Sequence, residues 1–445
     1  MKIDLIRPTR RKAWLAIAIV AALTAVPATA AAAAPASDEY VLEIPGVRQT
    51  EGGSVAGTTA APDDGGDGVQ RGVVGEQDAP PTPLAALVAL VAISALAALA
   101  GCGGGDDEPA EVAADPFYGV APEGLQSPSD YERMRAGGLG TVRVVLQWSG
   151  IEAEKGVYNW QSSDQVLGAL AQAGLDPLVT VYGTPPVYAS DPTEAPTNDE
   201  ETFDAWADFL SAAANRYGSQ GDFWPVYTDA NPGTDPRPIR EWEIWNEPNS
   251  STFWSPTPDP AAYADLLKRS SKVIRKEDPE AQIMSAGMFA TPQSDGAIVS
   301  YDFIDSLYGI NGVEDAIDIV GLHPYGPDEK AVIDQVEKTR KAIDDAGGDA
   351  PMWATEIGWG SNPKSGNDLS KTPDEQAQLL GDTFGELSDS REDLGLEGVV
   401  WYTWHDSTES AVGECGWCAT AGLVDADRDT KPSWTAYTDL TGGTP

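Results

Sequence analysis

The sequence predicts a (β/α)8 barrel, the TIM-barrel closure of eight parallel strands inside a ring of helices, over residues 116–445. Three observations predict it. β-rich apolar runs recur about eight times, most of them about 24 to 47 residues apart, the length of a strand, a loop and a helix. Helical patterns with readable start and stop signals lie between the runs. No glycine-rich phosphate turn follows the first run, which disfavours the rival, an open doubly wound sheet.

The runs, in order, are PFYGVAP, TVRVVLQWS, DPLVTVYGTP, IREWEIWNEP, AQIMSAGMF, IDIVGLHPYG, PMWATEIGWG and GVVWYTWHDS. They begin near 116, 141, 176, 239, 281, 317, 351 and 398, and the interval before the fourth is the long one. Aromatic residues within that interval, in GDFWPVYTDANPGTDPRP, belong to a helix-to-strand connection and are expected to pack. Thr372, Pro373 and Glu375 form a capping box with proline in the first turn, ahead of a stripe of Ala377, Leu380, Phe384 and Leu387. Val332, Val336 and Ile343 mark a second helix face that stops at Gly347.

Four zones precede the barrel. Residues 1–36 carry basic residues, an apolar stretch and small residues at a cleavage spacing, the pattern of an export signal peptide. Residues 37–83 are rich in Gly, Asp, Pro and Ala without periodicity and are expected to be a disordered acidic linker. Residues 84–101 are an apolar segment at the short end of what spans a bilayer. It ends in LAGC, so membrane attachment through 84–101 or through a lipid on Cys102 are the two forms of anchoring it allows. Residues 102–115 read as a flexible spacer. The protein is therefore expected to be secreted or held at the cell surface, with a monomeric catalytic domain.

Charge excludes some partners. Twenty-eight basic against 70 acidic side chains give a net charge of −42, which repels nucleic acid and anionic lipid. Three cysteines are present. Cys415 and Cys418, in ECGWCAT, suit a redox pair, half a metal site or a short-loop disulfide; in an exported chain the disulfide is the expectation. Only two histidines occur, too few for a His-rich metal centre, and no metal or organic cofactor is implied.

Chemistry in a barrel of this kind collects where the strands end. Glu247 ends the fourth run and Glu356 the seventh, about three βα units apart, so inward-pointing side chains there face each other across the mouth. Burying a carboxylate costs free energy unless it is paired, and neither motif brings its own lysine or arginine. Glycoside cleavage uses such a pair, one carboxyl protonated and one ionised.

Together the stretches TVRVVLQWSGIEAEKGVYNWQSSD, EIWNEPN, VGLHPYG, ATEIGW and WYTWHDS resemble clan A retaining glycoside hydrolases, most closely families 39 and 5. The resemblance runs from about residue 117 to 440. It implies Glu247 as general acid/base, Glu356 as nucleophile and Asn246 as hydrogen-bond donor to the sugar 2-hydroxyl. It gives Arg143 and Tyr325 supporting roles beside the nucleophile. Tyr325 can donate to Glu356, and Glu247 needs a less polar pocket to keep its proton.

Further substrate contacts are expected from residue chemistry. His323 is read as a sugar hydrogen-bond partner, and Trp404, at the end of the eighth run, as the platform beneath the sugar. Trp148 and Tyr182 end the second and third runs and are candidates to line the cleft; Trp254 is a candidate for the leaving-group side. Glu243 is expected to pair with Arg143. Family 39 enzymes often carry a β-sandwich after the barrel, whereas this sequence ends in a stretch resembling the last barrel helix, so a substrate borrowed from one family is unsafe. The expected substrate is a neutral oligo- or polysaccharide, cleaved with retention. The alternative from another class is a glycan-binding barrel without catalysis, and a third is an anchored adhesive protein with the barrel as spacer.

Overall fold

The computed structural model describes residues 114–445 except 291, 293 and 408–414. The export segment, the linker, the apolar segment and Cys102 lie outside the described residues. Among the described residues no helix is long and apolar enough to cross a membrane.

Nine strands form the sheet: β1 (Asp115–Val120), β2 (Leu139–Gln147), β3 (Asp176–Tyr182), β4 (Glu241–Ile244), β5 (Gln282–Ser285), β6 (Met288–Phe289), β7 (Val320–His323), β8 (Met352–Ile357) and β9 (Leu396–Trp401). Their order is β5-β4-β3-β2-β1-β9-β8-β7-β6, and neighbours pair in parallel. The sheet curls until β5 meets β7. Met284 bridges Ile319, and the Ser285 amide donates to the Ile319 carbonyl at 2.9 Å. The result is the eight-stave barrel that the sequence predicts, with one stave broken.

The broken stave is the fifth run, read in the sequence as a single strand. It parts at Ala286 and Gly287. A Cβ at Gly287 would lie 2.1 Å from His323 Nε2 and 2.5 Å from Thr355 Oγ1, so only glycine admits such close approach from two neighbouring strands.

One long helix follows each stave: Pro128–Ala136, Gln161–Ala173, Glu200–Tyr217, Pro260–Glu277, Ser300–Tyr308, Glu329–Asp345, Pro373–Asp389 and Pro432–Thr441. Alternation of strand and helix buries both faces of the sheet, which is why most strands read as near-continuous apolar runs. The capping box forms: Thr372 Oγ1 accepts from the Glu375 amide, and Glu375 accepts from the Thr372 amide. In that helix Gln376 is buried and Ala377 is half-buried. The glutamine can afford burial because its side-chain amide donates to the Trp359 carbonyl at 2.6 Å. The long interval before β4 holds an extra helix, Phe223–Ala230, whose Phe223, Trp224 and Tyr227 are buried.

Candidate active site

Arg143 organises the open, C-terminal end of the barrel. It stands on β2 and uses all three guanidinium nitrogens on site residues: Nε donates to Glu243 Oε2 at 2.7 Å, Nη1 to Glu356 Oε1 at 2.7 Å and Nη2 to Asn246 Oδ1 at 3.1 Å. Burial works against its charge, but Glu243 and Glu356 outweigh that penalty and hold it protonated. Because Asn246 turns its oxygen to Arg143, the amide NH2 is the end left to donate elsewhere.

Glu356 is buried and held from both sides. Tyr325 Oη donates to its Oε2 at 2.7 Å, opposite the Arg143 contact on Oε1. Tyr325 itself stacks on Phe289 at 5.5 Å and meets Trp417 edge-on at 5.2 Å. Burial pushes Glu356 above the usual carboxylate range, while the Arg143 charge and the Tyr325 bond pull it back.

Glu247 lies in a different environment. Its Oε1 is 2.8 Å from His323 Nδ1, and no cation touches it. Burial, then the neighbouring Glu356 charge, push its carboxyl well above the usual range. The His323 imidazole is driven well below its usual value by burial and by Arg143, so it faces Glu247 uncharged. Both carboxyls are raised, Glu247 the more strongly, so Glu247 is the one that holds its proton to higher pH. Oxygens of the two carboxylates and a His323 nitrogen all lie within 4.8 Å of one another. Glu247 meets His323 Nδ1 and Glu356 accepts from Tyr325 and Arg143, while His323 Nε2 is buried without a hydrogen-bond partner beside Gly287.

Local irregularity brings these side chains together. Strict alternation along a strand would send consecutive residues to opposite faces. Asn246 and Glu247 both reach interior groups because the backbone leaves the extended region at Trp245 (φ 76°) and Glu247 (φ 42°). Each such residue costs roughly 1–3 kcal/mol, a strain that surrounding contacts must hold. On β8 the ladder slips between Ala354 and Ile357, and within the slip Thr355 reaches Glu243 while Glu356 reaches Arg143.

The structure corrects four expectations, for His323, Trp404, Trp148 and Trp254, and bears out the disulfide. His323 is fully buried and bonds the carboxyl of Glu247, so it serves the acid in place of a sugar. Trp404 is fully buried, donates its indole N–H to Asp130 at 2.9 Å and packs edge-on against Trp434, which removes it as a platform. Trp148 is likewise buried, bonded to Glu152 and stacked with Tyr188 and Phe209 in the packing behind the rim. Trp254 is 3% exposed between Trp245 and Tyr263 and borders a side cavity of about 330 Å³ with Asn198 and Pro256, apart from the carboxylate pair. Tyr182 is half-buried at the end of β3, edge-on to Trp245 at 4.8 Å. Cys415 and Cys418 are joined as a disulfide with Cα atoms 5.4 Å apart.

Sequence reasoning missed other residues here. Tyr402, just after β9, donates to Glu123 at 2.6 Å, and its ring lies 6.0 Å from that of Trp417. Its hydroxyl is held well above its usual pKa by burial, by Glu123, and by Glu356 and Glu247. The sequence reading favours Trp404, two residues on, for its place at the end of the eighth run. Val145, two residues beyond Arg143 on the same side of β2, is half exposed. No signal distinguishes it from a core valine.

Solved structures share this fold. A family 39 glycoside hydrolase from Bacteroides cellulosilyticus matches at 22% identity and TM-score 0.54, over 74% of this chain and 64% of that one. A monomeric β-xylosidase from Caulobacter crescentus matches at 18% and 0.52, over 74% and 68%. An exo-β-1,4-mannosidase from an Opitutaceae bacterium matches at 15% and 0.52, over 75% and 61%. This chain thus spans less than two thirds of the first and third of these proteins. No protein-family model and no curated protein sequence matches it. The group to which these enzymes belong is the one the sequence motifs resemble, and the likeness at this identity establishes the barrel.

Proposed function

We propose that the protein is a retaining glycoside hydrolase, cleaving O-glycosidic, β-configured bonds in a neutral oligo- or polysaccharide by double displacement. One observation carries the reading: Glu247 and Glu356 are buried at the barrel mouth with oxygens within 4.8 Å, in environments that separate their proton affinities. Retaining enzymes hold their carboxyl groups about 5–5.5 Å apart, whereas inverting ones leave roughly 6.5–9.5 Å for a water.

In the first step Glu356 attacks the anomeric carbon while Glu247 gives its proton to the leaving oxygen; the glycosidic bond breaks and a glycosyl ester forms on Glu356. In the second, Glu247 takes a proton from water, which attacks the same carbon and releases Glu356. In this reading the Asn246 amide, its oxygen held by Arg143, donates to the sugar beside Glu247, where the bond strengthens as charge develops. Work outside the cytoplasm, secreted or at the cell surface, fits the export pattern of residues 1–36 and the Cys415–Cys418 disulfide.

The test is a panel of aryl β-glycosides and polysaccharides. Glu356→Gln is expected to lower turnover by about 10⁴-fold or more. Glu247→Ala is expected to spare glycosylation by a substrate with a good leaving group and to slow one with a poor leaving group by about 10²–10⁴-fold. Proton NMR should show the β-anomer as first product. Glycan binding without hydrolysis by the wild-type chain would favour the non-catalytic reading, and α-anomer as first product would sink the retaining one.

A further inference from the structure

Glu243 is the buried acid that the two-carboxylate chemistry leaves without a part. It lies on β4 at 0% exposure, four residues before Glu247. Four donors surround it. Oε2 accepts from Arg143 Nε at 2.7 Å and from the Thr180 hydroxyl; Oε1 accepts from the Gly287 amide at 2.8 Å and from the Thr355 hydroxyl at 3.0 Å. Each oxygen therefore faces one N–H that can only donate, Arg143 on one side and Gly287 on the other. An amide nitrogen in place of either oxygen would set donor against donor there. The cage suits a carboxylate that carries its charge.

The placement links this carboxylate to everything else in the site. Through Arg143 it is one bond from Glu356 and one bond from Asn246. Through Gly287 it touches the residue whose carbonyl accepts from the Glu247 amide at 3.1 Å and whose bare Cα admits His323. Geometry thus gives Glu243 contact, at one remove, with the attacking acid, the proton-bearing acid and the amide between them.

We propose that Glu243 is a positioning residue of this site, clamping Arg143 between Glu356 and Asn246 and setting a fixed negative charge beside both acids. The inference rests on the proposed glycosidase reading. With a single cation shared by two carboxylates, one negative charge is left over. The unshared negative charge nearby favours the protonated form of Glu247. The sign is the same at both acids: the Glu243 charge raises the proton affinity of each.

The other titratable groups facing the pair are few. They are Tyr182 at the end of β3, His323 and Tyr325 at and beyond the end of β7, and Tyr402 beyond β9; Tyr263 faces Glu243 from the helix behind β4. The imidazole is held neutral, and the phenols are held protonated by burial. Arg143 and Glu243 are the fixed charges that set the balance.

Titration of the full-length protein labelled with ¹³C at glutamate side-chain carboxyls tests this, with Glu247→Gln and Glu356→Gln assigning the signals. In Glu243→Gln the midpoints of Glu247 and Glu356 are both expected to fall by about one pH unit, the effect of deleting a like charge a few ångströms away. If the chain hydrolyses glycosides, kcat should fall about tenfold or more with KM changed less than about threefold, and both limbs of the pH profile should move to lower pH. Thr180→Val, which removes one hydrogen bond and keeps the charge, should leave both midpoints in place. Glu243→Asp covers the case in which the glutamine variant does not fold: it retains the charge, and the Glu247 midpoint should stay within a few tenths of a unit. Unmoved midpoints in folded Glu243→Gln, or a full-unit shift in Glu243→Asp, would overturn the proposal. Absence of hydrolysis by the wild-type chain would instead remove the proposed function, while the midpoints still report whether Glu243 sets the charge.

Discussion

The open ends of β4 and β8 and those of β2 and β9 look alike in sequence: each is an apolar run closing on a large or polar side chain. They do opposite things. At β4 and β8 the backbone leaves regular geometry, through positive φ at Trp245 and Glu247 and a slipped ladder around Thr355, and neighbouring residues converge on the barrel axis. Beyond β2 the chain passes directly into the short helix Trp148–Ile151, and beyond β9 into a loop, so that Trp148 and Trp404 turn away and are sealed among other aromatics. Strand-end position alone therefore does not decide which side chain meets a substrate. The path the backbone takes beyond the strand decides which side chains reach the barrel axis.

Three substitutions break or sharpen that contrast. The largest effect is expected at the irregular end of β4: Asn246→Ala should lower kcat/KM by about 10²–10³-fold, the usual loss for a donor that acts as charge develops. A 2-deoxy substrate should hide most of that loss, and an equal loss on both substrates would remove the assignment.

Tyr325→Phe comes next, at about 10- to 100-fold in kcat, for a hydrogen bond to a charged group. Its sign with pH is fixed. The Tyr325 bond lowers the proton affinity of Glu356, so deleting it raises that affinity, and the acidic limb, below which Glu356 is protonated, should move to higher pH. A limb that moves the other way would show that Tyr325 does not support the ionised form.

Trp404→Phe should do least to catalysis and most to stability. It strips Asp130 of a buried donor and should cost about 1–3 kcal/mol, seen as a lower Tm, with kcat/KM within about twofold of wild type. A large rise in KM at unchanged Tm would return Trp404 to the cleft and erase the contrast.

Much of the site was legible because its signals are local. The motifs around Glu247 and Glu356 carry their own strand ends, and the spacing of three βα units sets them across a closed ring. The pairing of Glu243 with Arg143 was legible too, since an acid inside an apolar run needs a cation and Arg143 sits inside another. His323 was misread for a physical reason: a histidine near a mouth can face the solvent side or the carboxyl behind it, and that choice depends on the missing Cβ of Gly287, a residue from another strand.

The sequence by itself determined the barrel and its two acids, because periodicity, caps and turn residues act over a few positions and repeat along the chain. Tertiary structure decided which acid holds its proton more strongly, since proton affinity depends on burial and on charges brought from distant strands: Arg143 and Tyr325 reach Glu356, and an imidazole reaches Glu247. It also decided which aromatics are walls and which are packing, because a fraction of a turn in the backbone at a strand end moves a ring from the cavity to the core.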